Sequence, residues 1–451
     1  MERPAASPSF VRDRAELCKE NCPYPGDMTT TSAYTTALAA EVASDVLHRF
    51  LRYVQIDTQA DENSATFPSR SEQLDLSRLL VEELHAIGVD DAEMDEHGYV
   101  IATLPPTGRP AAPVIGFLAH VDTSPEAPGA GVKPRVVTGY DGGQIDFPGD
   151  PDLTLSPIDS PPLADCVGKD VVTSDGTTLL GADDKAGVAA IMCAAKYLVD
   201  HPEIARGPIH IAFTLDEEVG HGVDRFDIER FGATVAYTID GSTAGSIEDE
   251  TFSARQATVT FVGRNTHPGY AKGKLLNSLR MAAAFIEHLP IELSPERTEG
   301  RDGFLHPWTV QGGCDRTTIR VLARDFDMEK LDAHVGVLRR AAEDAAVRFG
   351  GRVEVEIVEQ YLNMKEHLVK DPRLVALAER AIEEAGLTPR RGWIRGGTDG
   401  SRLTELGLPT PNLFSGAHEI HSTREWVCVH DMADAVATIV HLARLWGEEE
   451  S

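Results

Sequence analysis

The sequence is short of positive charge. It sets 42 Lys and Arg against 72 Asp and Glu, a formal net charge of −30. Proteins that grip nucleic acid neutralise phosphates with a basic face, and anionic membrane surfaces ask for the same. The balance argues against both partners and reads as solubility and self-repulsion. Cysteine is also scarce. Cys18, Cys22, Cys166, Cys193, Cys314 and Cys428 are too few for a disulfide framework in 451 residues. Cys18 and Cys22 resemble half of a metal knuckle, but no second pair lies near them. No run has the length and apolarity of a membrane span, and the N-terminus carries no apolar h-region of a secretory signal. No internal repeat is present. These absences lead to the expectation of a soluble protein in a reducing cytoplasm.

What is present is ordinary for a globular chain. Its 42% hydrophobic content is ample for buried cores, and the length predicts about two or three domains. Residues 1–40 are rich in Pro, Ser, Thr and Ala without sustained periodicity, and are expected to be a disordered extension, with Met28 as an alternative start. Helical spacing begins at Val42 and runs to Val54, and a second helix is expected from Ser71 to Ile87, stopped by Gly88. Strands and helices then alternate to Asp240, which predicts an α/β domain with a mostly parallel central sheet over 41–250. The pattern changes after residue 250. Strand-like and helical stretches follow one another as β-α-β-β-α-β, the arrangement of a ferredoxin-like α+β domain, over 251–365. The α/β character returns over 366–451 with helices after Asp371-Pro372 and from Asp431 to Trp446. The middle segment is therefore read as an insertion, a candidate lid or dimerisation module.

Five acid and histidine motifs stand at the ends of apolar runs: His120-Val121-Asp122, Gly181-Ala182-Asp183-Asp184-Lys185, Asp216-Glu217-Glu218, Asp240 and His421. The first four follow strand-like runs at 114–119, 178–180, 209–214 and 235–239. In an open α/β sheet, ligands bind at the carboxyl ends of strands, so polar groups there converge on one crevice. His nitrogens and carboxylate oxygens are ligands for Zn²⁺. Two such ions about 3.5–4 Å apart need a bridging group, usually a carboxylate, and Asp183 is the candidate. Of the adjacent Glu217 and Glu218, expected to point to opposite sides of a strand end, one can bind metal while the other stays free to move a proton. Asp122 is placed to accept the second ring N–H of His120 and fix its orientation. Taken singly, each carboxylate reads more simply as a loop residue or helix cap, Asp183 as an N-cap and Asp216 as a turn former. It is the ordered set of five that carries the metal-site reading.

Longer stretches add a resemblance. Gly116 to Pro125, Thr178 to Gly187, Ala212 to Gly220, His267-Pro268-Gly269 with Ala271-Lys272-Gly273, Ile394 to Gly400 and Pro411 to Gly416 together resemble the peptidase T (tripeptide aminopeptidase) branch of the co-catalytic dizinc metallopeptidases. That family also includes carboxypeptidases, dipeptidases and aminoacylases. The resemblance covers about residues 42–447 and implies a dizinc exopeptidase-like catalytic domain. It implies that one zinc is held by His120, Asp183 and Asp240 and a second by Asp183, Glu218 and His421. It makes Glu217 the general base and Asp122 the orienting residue, and expects a cis peptide at Asp183-Asp184. His267 would polarise the substrate carbonyl, by domain closure or from a partner subunit. Asn277, Arg324 and Arg395 are candidates to hold the peptide carboxylate. The chain departs from the family where an aromatic-rich approach to the last ligand is expected: His418-Glu419-Ile420-His421 stands there, and His418 is a competitor for His421.

The function expected is metal-dependent release of the N-terminal residue from tripeptides, with two zinc ions per subunit, cobalt or manganese being alternatives. A sister activity (dipeptidase, carboxypeptidase or N-acyl amino acid hydrolase) is the enzymatic rival, and a non-catalytic peptide-binding protein is the rival of another class. The expected partners are a small peptide substrate and a second copy of the chain joined through the inserted domain.

Overall fold

The computed structural model describes residues 33–450; Cys18, Cys22 and Met28 lie outside them. Its first helix, Ala37–Tyr53, opens where the Thr36 side chain accepts the Ala39 N–H, which satisfies one of the free donors of a first turn. This corrects the expected boundary at residue 40. Residues 37–40 are Ala-Leu-Ala-Ala, strong helix formers behind a cap, and Ala39 is fully buried.

Eight strands form the central sheet. Their spatial order is Glu93–Met94, Val100–Leu104, Ile209–Thr214, Ile115–His120, Val235–Gly241, Asn412–Phe414, Ser246–Thr251 and Arg390–Ile394. The four strands from Ile209–Thr214 to Asn412–Phe414 run parallel to one another. Every residue of Ile115–His120 is buried, as a central parallel strand covered on both faces requires. Helices Ala37–Tyr53, Ala182–Asp200 and Val429–Trp446 pack on one another, and Ala182–Asp200 lies against the central strands. That contact needs Gly187, because a Cβ there would stand 2.0 Å from the Ile239 carbonyl oxygen. The helix sits this close directly beneath Asp240.

Two parts of this layer depart from expectation. Residues 178–180 are not a strand: the Leu179 N–H goes to the Pro128 carbonyl and the Leu180 N–H to the Glu425 carboxylate, not to a ladder. An unexpected small antiparallel sheet also forms, in the order Ala417–His418, Trp426–Cys428, Val171–Thr173 and Arg135–Val137, beside a hairpin of Ile145–Phe147 and Asp150–Leu155. Its strands are too short to show an alternation. They cohere around Tyr140, Phe147, Leu155, Leu163 and Trp426.

Residues 253–361 build the second large sheet. Strands Ser253–Val262, Phe304–Gly312, Arg316–Asp325 and Arg352–Tyr361 with helices Ser278–His288 and Met328–Phe349 follow the β-α-β-β-α-β order. The strands pair antiparallel with Ser253–Val262 and Arg316–Asp325 at the centre. Both helices cover one face and share a core of Val259, Phe261, Phe285, Val321 and Leu338. Trp308, Val310 and Val358 of the strands are exposed. Among the described residues no helix is long and apolar enough to cross a membrane.

Candidate metal centre

The four adjacent parallel strands end on the same side, and the motif residues gather there. His120 is the last residue of its strand, Asp240 the sixth of Val235–Gly241, and Glu217 and Glu218 follow the end of Ile209–Thr214. Asp183 lies between two imidazoles: its Oδ1 is 3.1 Å from His120 Nε2 and its Oδ2 is 3.4 Å from His421 Nε2. His120 Nε2 is also 3.7 Å from Asp240 Oδ1, and His421 Nε2 is 2.8 Å from Glu218 Oε2. The structure thus brings together His120, Asp183, Glu218, Asp240 and His421 around one carboxylate that faces both histidines.

Local conformation explains how. The Asp183-Asp184 peptide is cis, as the resemblance implied, and the two residues interrupt helical geometry at the head of Ala182–Asp200. Glu425, a fully buried residue to which the sequence reading gave no role, holds this turn. Its carboxylate accepts the N–H groups of Leu180 and Gly181 at 2.7 Å each and of Asp183 at 2.9 Å. Its place four residues after His421 is the only signal the sequence offers. The Glu217-Glu218 pair is not on an extended strand end, which corrects the expected opposite-side geometry. Asp216 takes a left-handed conformation at φ 59° and the pair follows in a 3₁₀ turn. Asp122 caps that turn, its two carboxylate oxygens accepting the Glu217 and Glu218 N–H groups at 3.1 Å. The same residue stands behind His120, whose Nδ1 is 3.3 Å from Asp122 Oδ1 and 3.2 Å from its carbonyl oxygen. His421 has a corresponding partner that the sequence did not reveal, Glu126, 3.0 Å from Nδ1.

The electrostatics describe a crowd of acids. Burial, then the charge of Asp183, pushes Glu218 up to about 8 and Asp240 up to about 6. Burial opposes ionisation of Asp183 too, but His120 and His421 hold it well below the usual carboxylate range. Burial raises Glu217 well above its ordinary value, and Asp399, a further buried acid beside it, is pushed up to about 7. Glu218 Oε1 and Asp399 Oδ2 are buried without a hydrogen-bond partner. Two imidazoles and three carboxylates with an orphaned buried oxygen form a donor set that fits divalent cations, which would supply the positive charge this cluster lacks. His418 does not compete. It stacks on Trp426 at a centroid distance of 4.5 Å, and burial lowers it to about 4.

The remaining candidates lie elsewhere. His267 is exposed in the 253–361 unit, and its ring nitrogen accepts the Gly269 N–H; none of its contacts reaches the cluster. Asn277 caps the helix Ser278–His288 and does not join the two arginines. Arg324 Nη1 donates to the Arg395 backbone carbonyl at 3.4 Å at the junction of the two sheets, but the Arg395 guanidinium itself is taken by the Gly300 and Thr298 carbonyls and the Thr298 hydroxyl. Arg324 Nε and the nearby Tyr361 hydroxyl are buried donors without partners; burial raises the Tyr361 hydroxyl, Arg324 opposes that rise and Glu217 adds to it.

Comparison with known proteins adds to this geometry. Residues 174–445 match the model of peptidase family M20/M25/M40. The chain is 46% identical over 408 residues to peptidase T of Geobacillus kaustophilus (strain HTA426), covering 90% of this chain and 99% of that one. Among solved structures, the aminopeptidase PepT of Bacillus cereus superposes with a TM-score of 0.70 at 27% identity, over 90% of this chain and 99% of that one. A tripeptidase of Staphylococcus aureus shares the fold with a TM-score of 0.71 at 23% identity, over the same shares.

Proposed function

Because the chain belongs to peptidase family M20/M25/M40, and within it to the peptidase T enzymes, we propose that it is a two-zinc aminopeptidase that removes the N-terminal residue of tripeptides. The single observation that carries the two-ion reading is Asp183, whose two oxygens face His120 and His421 separately. One ion would be held by His120, Asp183 and Asp240, the other by Asp183, Glu218 and His421. When bound, such ions supply Lewis-acid polarisation of the scissile carbonyl and a water of lowered pKa.

The chain's own residues do the rest. Glu217 binds no neighbour through its carboxyl among the described residues and is raised by burial, so it can take a proton from the attacking water and return it to the leaving amine. Asp122 fixes His120 and, through the two N–H groups it accepts, the turn that presents Glu217 and Glu218. Arg324, with Arg395 behind it and Tyr361 beside it, offers unpartnered donors for the peptide carboxylate. His267, and Asn277 in the same unit, would reach substrate on closure of the 251–365 segment over the 41–250 and 366–451 domain, or from a second copy. The uncovered strand face of that segment, where Trp308 and Val358 are exposed among Thr258, Arg320 and Glu356, is the candidate dimer contact.

The test is hydrolysis of a free tripeptide, its N-acetylated form and the matching dipeptide, with zinc and after chelation, for the wild type and Glu217→Gln. Chelator-sensitive cleavage of the free tripeptide alone, lost in the variant, supports the proposal. Cleavage of the acetylated compound or dipeptide in preference points to a sister activity, and unchanged turnover in the variant removes Glu217 from its role.

A further inference from the structure

A second group of side chains with ligand-type atoms, sharing no residue with the centre just described, lies at the small antiparallel sheet and the head of the C-terminal helix. Cys166, Cys428 and Asp431 each offer a ligand atom, all within 4.8 Å of one another, and all three residues are buried. The fold brings them together in two steps. The strand Trp426–Cys428 pairs with Val171–Thr173 so that Cys428 faces Val171, five residues beyond the 3₁₀ turn Pro161–Cys166. Cys428 is then the N-cap of the long helix Val429–Trp446, and its side chain makes no capping bond. Asp431 stands three residues on, where a first-turn side chain turns back toward the cap.

We propose that Cys166, Cys428 and Asp431 form a site for a third, thiophilic divalent cation such as Zn²⁺, which ties the small antiparallel sheet to the C-terminal helix. The donor types decide the class of ion. Two thiolates with one carboxylate suit Zn²⁺ or Cd²⁺ and disfavour Mg²⁺ or Ca²⁺, which take oxygen. Tetrahedral Zn²⁺ with Zn–S of about 2.3 Å places its sulfurs about 3.7 Å apart, so the present spacing needs a closure of about 1 Å at most. Charge also balances. Lys169 is half-buried near all three groups; burial opposes its charged form, but Asp431 and both cysteines outweigh it, so Lys169 compensates Asp431. Binding would release two thiol protons as Zn²⁺ enters: two S–H bonds break, two S–Zn bonds form and the site's net charge is unchanged. Burial, then Cys166 and Asp431, push the Cys428 thiol well above its ordinary value, so it is the incoming cation, helped by the positive pole of an 18-residue helix, that would displace its proton. A pair of cysteines serving only as apolar filler would not need a carboxylate within reach of both sulfurs.

The test uses the full chain under reducing conditions, in a Cys18→Ser/Cys22→Ser background that removes the other cysteine pair, loaded with Co²⁺ and separately with Cd²⁺. The ligands at the first centre contain no sulfur, so a thiolate-to-metal charge-transfer band reports the second site alone. The expected result is such a band together with one more bound Co²⁺ per chain than in the added variants Cys166→Ser or Cys428→Ser, and a weaker band in Asp431→Asn. Equal metal content and no band in the cysteine-intact protein would overturn the proposal, and this arm does not depend on whether the variants fold. Recovery of a Cys166–Cys428 disulfide, with no band after reduction, would overturn it as well and make the pair a redox couple.

Discussion

Glu250 holds the junction of the two sheets, and its removal has a calculable cost. The residue lies in Ser246–Thr251, the strand that leads into the 253–361 unit, and its side chain is 7% exposed. Arg301, from within that unit, grips both carboxylate oxygens as a fork, with Nη1 2.8 Å from Oε2. Lys365, just after the chain leaves the unit, donates to Oε2 at 2.9 Å. One carboxylate is thus tied to a cation on each side of the junction. Burial opposes its ionisation, but Arg301 and Lys365 outweigh burial and lower the carboxyl from 4.5 to about 2. A change of that size means the folded protein holds the proton roughly 3 kcal/mol less tightly than the unfolded chain. Because the two cations are 49% and 46% exposed, screening brings the expected contribution nearer to about 2 kcal/mol.

The folded value is the lower one, so the stabilisation is complete above 4.5 and is lost as pH falls through about 2. Glu250→Gln should therefore destabilise the chelated, metal-free protein by about 2 kcal/mol at pH 7 in urea unfolding, with the difference from wild type shrinking as the pH approaches 3. Arg301 keeps its stacking over Phe326, at 4.6 Å from the ring centroid, so the variant should fold. A difference that does not change with pH would refute the reasoning, because loss of packing alone carries no proton linkage. With metal restored, a looser junction should raise KM for tripeptide more than it lowers kcat, if the proposed closure brings Arg324 to the peptide carboxylate.

Glu217→Gln should lower kcat by about 10²–10⁴-fold with metal content unchanged by elemental analysis. Glu425→Gln leaves one of three clamped N–H groups facing an amide donor and should weaken zinc binding by about 10–100-fold in a chelator competition, with kcat recovering at saturating zinc. Gly187→Ala drives a methyl into the Ile239 carbonyl and should cost about 1–3 kcal/mol of stability in thermal or urea unfolding. His267→Ala should reduce kcat while leaving metal content and the unfolding midpoint alone; an unchanged kcat would remove it from catalysis.

The parts of the molecule that could be read in advance are those where one side chain's chemistry and the run before it carry the information. His120 and Asp240 follow short apolar runs rich in β-branched and aromatic residues, of strand length, so their position at a strand end is written locally. The β-α-β-β-α-β unit was legible for the same reason, since Val353, Val355 and Ile357 alternate with glutamates on an edge strand. Glu425 and Glu126 were not legible, because each matters only through a contact closed by tertiary folding: Glu425 reaches back more than two hundred residues to the Asp183 N–H, and Glu126 meets His421 across 295 residues of sequence. The turn at 178–181 misled for a related reason. Thr-Leu-Leu has strand-like composition, but the Leu179 N–H is taken by the distant Pro128 carbonyl and the Leu180 N–H by the Glu425 carboxylate, partners that no local pattern predicts.

This distinction bears on how the centre is held. The candidate ligands sit on elements whose positions are set by the sheet, but the residues that aim them are distant carboxylates acting on backbone N–H groups and ring nitrogens. Asp122 accepts two N–H groups of the turn carrying Glu217 and Glu218, and Glu425 accepts three around Asp183. Such carboxylates add negative charge behind ligands that are already crowded with it. Burial already pushes Glu425 up to about 7, and cations in front would favour its charged form, which would make the orienting shell and the metal mutually dependent: removing the ions should loosen the Asp183 turn, and loosening the turn should release the ions.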